Sequence, residues 1–92
     1  MNKRKLTLVR KKIDKIDNQI FNLIKQRTKL IQVIMNIKSL KKQIVDQKRI
    51  SEILKKIKKK SISHSVDSKL TKKIWKSIIW SYVDFQKRNF KK

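Results

Sequence analysis

The chain has 92 residues, of which 28 are Lys or Arg and six are Asp or Glu, so its formal net charge at pH 7 is +22. It contains no Gly, Pro or Cys, which excludes a disulfide framework or a thiolate metal site and disfavours tight turns with a positive φ. Charged residues interrupt every apolar stretch, so we expect no membrane span, no signal peptide and a cytoplasmic location.

The excess of positive charge first suggests a nucleic-acid-binding protein. Only five of the 28 cationic residues are Arg, however, and the Lys residues are spread over the whole chain. Ala is absent while Ile and Lys are abundant, and a general drift of composition toward Lys and Ile produces the same pattern. We therefore interpret most Lys side chains as solvated surface, with weak, salt-sensitive binding to polyanions and no specific nucleic-acid partner.

The first half of the chain carries the strongest periodic pattern. Steps of three and four between apolar residues predict one helix from about residue 6 to 38, with a seam formed by Leu6, Val9, Ile13, Ile16, Ile20, Leu23, Leu30, Ile34 and Ile37. A second stripe widens the apolar face: Phe21, Ile24, Ile31 and Met35. Such a helix is roughly 50 Å long. It cannot bury its seam against the rest of a chain of this size, so we expect an intimate dimer.

A shorter second helix is predicted after a connection from Ser39 to Gln43. Asp46 is placed to cap its start, where a carboxylate accepts hydrogen bonds from free backbone N–H groups. The helix continues to about Lys60 with one apolar face made of Ile50, Ile53, Leu54 and Ile57.

A third helix is predicted after a polar connector from Ser61 to Ser65. Either Ser65 or Asp67 caps its start, and its apolar positions run from Leu70 to Phe85. A basic tail follows Arg88. The sequence therefore predicts a single all-α domain with one long N-terminal helix and two shorter ones, ordered over about residues 6–88.

Arg27 interrupts the apolar seam of the first helix. A buried guanidinium is unfavourable unless it meets an anion. In a purely structural role, the charge of Arg27 reaches solvent, pairs with one of the acids of the chain, or fixes the register of the seam. The anion can also be a ligand, because the Arg fork matches a carboxylate or phosphate. Lys38 lies within about 20° of the same face, whereas Arg10 is roughly 25 Å away along the helix. Arg10 can approach Arg27 only from the second chain of an antiparallel dimer.

The two shorter helices add polar residues that share faces. Asp46, Arg49 and Ile50 lie on one face of the second helix by their spacing, and Tyr82 and Gln86 lie on one face of the third. The sequence thus combines cations from several helices with one neutral amide. It shows no nucleophile, no paired carboxylates and no metal-ligating cluster, so we expect neither a metal nor a cofactor.

The segment from Leu8 to Asp17, LVRKKIDKID, resembles the opening of the all-helical chorismate mutase family. That family reads leucine–x–arginine and then isoleucine–aspartate–x–isoleucine–aspartate. Further matches follow in the family's order and spacing over about residues 6–88: Leu23 to Arg27, Lys38, Asp46 to Arg49, and Ile78-Ile79 with Gln86. The resemblance implies three helices per chain, an intertwined homodimer and two active sites, each using one arginine of the partner.

The resemblance also implies a reaction and its residues. Chorismate mutases rearrange chorismate to prephenate in the shikimate pathway to phenylalanine and tyrosine, without a cofactor. Arg10 matches the arginine donated by the partner and Arg27 the resident one, each holding a substrate carboxylate. Lys38 and Gln86 match the catalytic pair that bonds the breaking ether oxygen.

Four further positions concern substrate binding. By resemblance, Arg49 is a helper near the carboxylate, and Asp46 contacts the ring hydroxyl or orders neighbouring groups. The family usually has glutamate where this chain has Ile50, and serine where it has Tyr82. Both departures resemble the isochorismate-pyruvate lyases of salicylate synthesis, which share the fold and remain an alternative. A second alternative is a basic helical nucleic-acid-binding or scaffold protein, which offers no reason for this order of residues.

Overall fold

The computed structural model of the chain describes residues 2–37 and 41–90. Helix α1 spans Lys3–Ile37, a short 3₁₀ helix spans Lys41–Ile44, α2 spans Gln47–Ser63 and α3 spans Ser68–Asn89. No strand occurs within the described ranges. The prediction of an all-α chain with one long helix and two shorter ones is confirmed.

The chain divides into two compact units, Met1–Ile34 and Met35–Lys92. Most of α1 forms the first unit, and α2 and α3 belong to the second. Helix α1 begins earlier than predicted because Asn2 caps it. The Asn2 Oδ1 atom accepts a hydrogen bond from the backbone N–H of Lys5 at 3.1 Å. Whether the whole chain is one domain stays a prediction.

The apolar seam of α1 is exposed to solvent. Each seam residue from Val9 to Ile37 keeps between 41% and 76% of its surface exposed, and α1 contains no fully buried residue. A neighbouring face of the same helix is half-buried and consists of Ile24, Arg27, Thr28, Ile31 and Met35. Arg27 therefore lies among side chains that are partly withdrawn from water.

The two helices of the second unit both begin at an aspartate, which is the predicted cap for α2 and one of the two predicted candidates for α3. Asp46 Oδ1 accepts a hydrogen bond from the backbone N–H of Arg49 at 3.0 Å. Asp67 Oδ1 accepts from the backbone N–H groups of Lys69 at 2.8 Å and Leu70 at 3.2 Å. Each carboxylate thereby satisfies N–H groups that have no partner inside the helix. Of the two candidate caps for α3, the aspartate is the one used.

The polar connector predicted from Ser61 to Ser65 is wrong in its first three residues, because α2 continues to Ser63. Ser61 is buried and continues the apolar face one turn beyond Ile57. Its Oγ donates to the Ile57 carbonyl at 2.7 Å and lies 2.7 Å from Thr71 Oγ1 on α3. Thr71 Oγ1 also donates to the Ser68 carbonyl at 3.3 Å, and either hydroxyl can be the donor in the bond between Ser61 and Thr71. The polar side chain can be buried because its hydrogen bonds are made inside the protein.

The turn after α2 contains a left-handed residue, contrary to the expectation from a chain without Gly. Ser65 has a φ of 56°. The N–H of Val66 bonds the Ser61 carbonyl at 2.8 Å, and the N–H of Ser65 bonds the Ile62 carbonyl at 3.3 Å. These two bonds form a Schellman motif, in which Gly is the usual left-handed residue. They hold Ser65 in a conformation that costs a side-chain-bearing residue roughly 1–2 kcal/mol.

Helices α2 and α3 pack against each other, and the 3₁₀ helix packs on α3. The buried apolar residues of the described chain lie in this second unit: Ile44, Ile79, Tyr82 and Val83. Three of these four residues belong to α3 and one to the 3₁₀ helix, while the apolar residues Ile50, Ile53, Leu54 and Ile57 of α2 are half-buried. Among the described residues, no helix has a stretch long and apolar enough to cross a membrane.

Candidate active site

Helix α3 buries one polar side chain of the predicted site along with its apolar face. Ile79, Tyr82, Val83 and Gln86 follow one another at steps of three, one and three, which places them on a single face. Gln86 is only 6% exposed. Tyr82 is buried beside it, and its ring meets that of Phe85 edge to face with centroids 6.3 Å apart. The predicted pairing of Tyr82 and Gln86 on one face is what the structure shows.

The amide of Gln86 is oriented by the helix itself. Its Nε2 donates a hydrogen bond to the Tyr82 carbonyl at 3.2 Å. Because a carbonyl only accepts, the nitrogen must be the atom that faces it. The other amide atom, Oε1, is buried and has no hydrogen-bond partner among the described residues. Buried polar atoms are rarely left unpaired, so this oxygen is suited to accept a hydrogen bond from a donor group of a ligand.

Asp46 and Arg49 lie together at the start of α2. Their contact is the capping bond from the Arg49 backbone to the Asp46 carboxylate. The Arg49 guanidinium points elsewhere, toward Glu52, with Nη1 and Oε2 3.9 Å apart. Both of these side chains are more than half exposed, so the pair is weak. Glu52 was not among the predicted site residues, although its spacing of three from Arg49 could have indicated the contact.

Ile50 is half-buried on α2. It lines a groove of about 540 Å³ together with residues of α2 and the first turn of α3. This environment is compatible with a purely structural role for Ile50, in which it continues the apolar face of α2. A role beside the substrate stays a prediction.

The two predicted arginine clamps belong to the first unit. Arg27 is half-buried and its Nη1 atom is buried. Arg10 is exposed on the same helix. Lys38, the predicted catalytic lysine, lies outside the described residues. The convergence of Arg10, Arg27 and Lys38 with the residues of α2 and α3 stays a prediction.

The described side chains offer hydrogen-bond donors, cations and apolar surface. Among them, no group of three or more His, Asp or Glu residues is arranged to hold a metal ion. Such donors can hold an anionic molecule and stabilise charge that develops on it during a reaction.

The amino-acid sequence was compared with models of known protein families. The family model described as chorismate mutase type II matches residues 9–87, which is most of the chain. No individual curated protein and no solved structure matches the chain significantly. The matched range runs from the residue before Arg10 to the residue after Gln86.

Proposed function

The chain belongs to the chorismate mutase type II family, and we propose that it rearranges chorismate to prephenate as a homodimer with two shared active sites. Members of this family are isomerases, so the chain is an enzyme and chorismate is its substrate. The homodimer, the individual residue roles and a location in the cytoplasm are parts of the proposal.

The reaction is an intramolecular pericyclic rearrangement, in which one C–O bond breaks while one C–C bond forms. It needs no general acid, general base or covalent intermediate. The enzyme has two tasks: to hold the dicarboxylate in its compact reactive conformer, and to stabilise negative charge on the ether oxygen. In our proposal Arg10 and Arg27 perform the first task, and Lys38 and Gln86 the second. The positive field of the whole chain attracts the anionic substrate.

The observation that carries the proposal is the buried amide of Gln86. Its Nε2 uses one hydrogen for the Tyr82 carbonyl, and the second hydrogen is available for the ether oxygen. A donor held in advance of the reaction and shielded from water stabilises developing charge more than an exposed one. The same burial is unfavourable to the apo protein because Oε1 is unpaired. A purely structural role for Gln86 would not require this arrangement.

The exposed seam of α1 supports the homodimer. A helix of 35 residues is about 52 Å long, and its exposed apolar side chains form a contiguous strip of the kind that marks an interface. In an antiparallel pair that places Arg10 level with Arg27 of the second copy, paired residue numbers add to 37. The range Lys3–Ile34 then overlaps completely with its counterpart. Apolar residues also fall level with each other near the axis: Ile13 with Ile24, and Ile16 with Phe21.

The remaining residues bind the substrate in secondary roles. Arg49 assists at a carboxylate, which requires it to leave its weak ion pair with Glu52. Asp46 orders the start of α2 through its cap and contacts the ring hydroxyl. Ile50 and Tyr82 supply apolar walls where the family usually has polar side chains.

The test is to identify the products that the purified protein forms from chorismate and, separately, from isochorismate. We expect prephenate from chorismate. Gln86→Leu should lower kcat by about a hundredfold, because removal of one such donor costs roughly 2.7–4 kcal/mol. The same variant should melt no lower than the wild type, since an apolar side chain replaces an unpaired buried amide. Pyruvate and salicylate from isochorismate, without prephenate from chorismate, would instead establish the lyase. Full activity of Gln86→Leu would refute the assigned role of the amide.

A further inference from the structure

A groove runs along α2 and ends against the first turn of α3. It has a volume of about 540 Å³, which is within the range of sites for small organic molecules. Its floor is apolar and is made of the half-buried side chains of Ile50, Leu54 and Ile57. Ser51 and Ser68 add two hydroxyl groups to the lining.

Lysines surround this apolar floor. Lys55 and Lys58 line the groove from α2, and Lys69 and Lys72 line it from α3. All four are exposed, and no acid occurs among the described lining residues. Three acids adjoin lining residues in sequence. Asp46 and Asp67 are engaged by the N–H groups that they cap, and Glu52 forms a weak ion pair with Arg49. The groove therefore combines an apolar surface with an uncompensated positive charge.

The centre of the groove lies on a different face of α2 from Arg49, whereas Ile50 and Ile57 at its edge lie within roughly 100° of Arg49. At 100° per residue, Ser51, Leu54 and Lys58 lie within roughly 40° of Gln47 on α2, whereas Arg49 is about 160° away. Only Ile50 is common to the groove and to the predicted substrate-binding residues. The lysines of the groove have no part in the proposed mechanism.

We propose that this groove is a second binding site, for a small organic anion with an apolar body. The carboxylate, sulfonate or phosphate of such a molecule contacts the ammonium groups at the rim, while its apolar part covers the floor. A polyanion backbone would use the lysines but leave the floor exposed to water, so it fits the groove less well. The lysine stems also lie along apolar surface while their charged ends remain in water.

The test uses two fluorescent probes of nearly equal shape, anilinonaphthalene sulfonate and the neutral phenylnaphthylamine that lacks its sulfonate. Both are titrated into the full-length protein with saturating prephenate present, so that a product-binding site is already filled. Lys58→Gln/Lys72→Gln should weaken binding of the anionic probe about tenfold, and that of the neutral probe less than about twofold. The matched control is Lys56→Gln/Lys73→Gln, which removes the same charge from positions on α2 and α3 outside the groove. It should change neither affinity by more than about twofold.

A second variant tests the floor. Ser51→Trp places a large side chain in the groove at an exposed helical position and should abolish binding of both probes there. Probe-induced amide chemical-shift changes should concentrate in residues 47–58 and 68–72. Equal weakening in the two double variants would reveal a general charge effect and overturn the proposal. It is also overturned if the wild type binds the anionic probe without prephenate but not in its presence, or if a second copy closes the groove and the wild type binds no probe there. None of these readouts depends on chorismate turnover.

Discussion

The long first helix and the α2–α3 hairpin use their apolar residues differently. Helix α1 has 35 residues and no fully buried side chain, although its apolar seam recurs along the helix with an interruption at Arg27. The hairpin is barely longer in total, yet it buries Ile79, Tyr82 and Val83 and even two polar residues, Ser61 and Gln86. Both regions are amphipathic by sequence, so amphipathicity alone does not decide what becomes buried.

Within the second unit, α2 and α3 are each other's packing partners. Helices α2 and α3 are joined by a four-residue turn, so each presents its apolar face to the other at little entropic cost. The seam of α1 has exposed side chains at every position from Val9 to Ile37. A strip of this kind is unfavourable in water. The hairpin thus buries apolar side chains within its own chain, whereas α1 keeps an exposed apolar seam, which is the surface that the proposed homodimer would cover.

The largest expected effect comes from charging the seam near the proposed axis. Ile16→Glu/Ile20→Glu should prevent dimerisation and abolish activity, because each copy would bring two carboxylates into the apolar contact. Sedimentation and thermal melting at micromolar concentration should show a monomer without a cooperative transition.

The matched control for the seam is Asn18→Glu/Asn22→Glu, which adds the same charge on the opposite side of α1. This variant should remain a dimer with near-normal turnover. If the seam variant stays dimeric and active, the seam of α1 is not the dimer interface, and the proposed homodimer does not explain its exposure.

The next effect concerns the arginines of α1. Arg10→Ala and Arg27→Ala should each lower kcat/KM at least about a hundredfold, since each removes one charged hydrogen-bonding partner of a carboxylate. When the two inactive proteins are mixed and allowed to exchange subunits, half of the dimers are mixed. Each mixed dimer has one intact site, so about a quarter of wild-type activity should return. No recovery after mass spectrometry has demonstrated exchange would rule out a shared site.

A smaller effect is expected at Ile50 on the hairpin. Ile50→Glu should raise kcat/KM for chorismate about tenfold if it supplies one hydrogen bond to the ring hydroxyl, worth about 1.4 kcal/mol. Ile50 is half-buried, so melting curves must accompany the kinetics. A normal melting temperature without any gain in activity would place Ile50 away from the substrate. A lower melting temperature would assign it to the hairpin core.

The smallest expected effect is on stability and concerns Ser65 in the turn between α2 and α3. Ser65→Gly should stabilise the protein by about 1 kcal/mol, because Gly adopts the left-handed conformation at position 65 without steric cost. The dimer dissociation constant should stay the same, since the turn belongs to the hairpin alone. Ser63→Gly is the contrasting variant, because residue 63 is still helical and Gly there should destabilise by about 0.5–1 kcal/mol. Chemical denaturation at several protein concentrations separates the two quantities.

Much of the site follows from local sequence patterns. Asp46 and Asp67 are predictable as caps because a carboxylate before a periodic apolar run satisfies free N–H groups within its own turn. The shared face of Tyr82 and Gln86 follows from a spacing of four. The order of Arg10, Arg27, Lys38, Arg49 and Gln86 along the chain indicates the family by resemblance, and the match of the family model confirms it.

What only the tertiary structure decided depends on contacts between residues distant in sequence. Ser61 is expected in a connector because it is polar, but Thr71 across the hairpin gives its hydroxyl a partner and allows its burial. Ser65 adopts a left-handed conformation because the carbonyls of the last turn of α2 require N–H partners there. The four lysines around one groove likewise depend on how α2 packs against α3. The sequence by itself determined that the chain forms one long and two shorter helices and which aspartates begin the shorter ones, because those preferences act within a few residues, but it did not determine where α2 ends. Which polar groups are withdrawn from water was decided by packing, since burial depends on what another helix places opposite them.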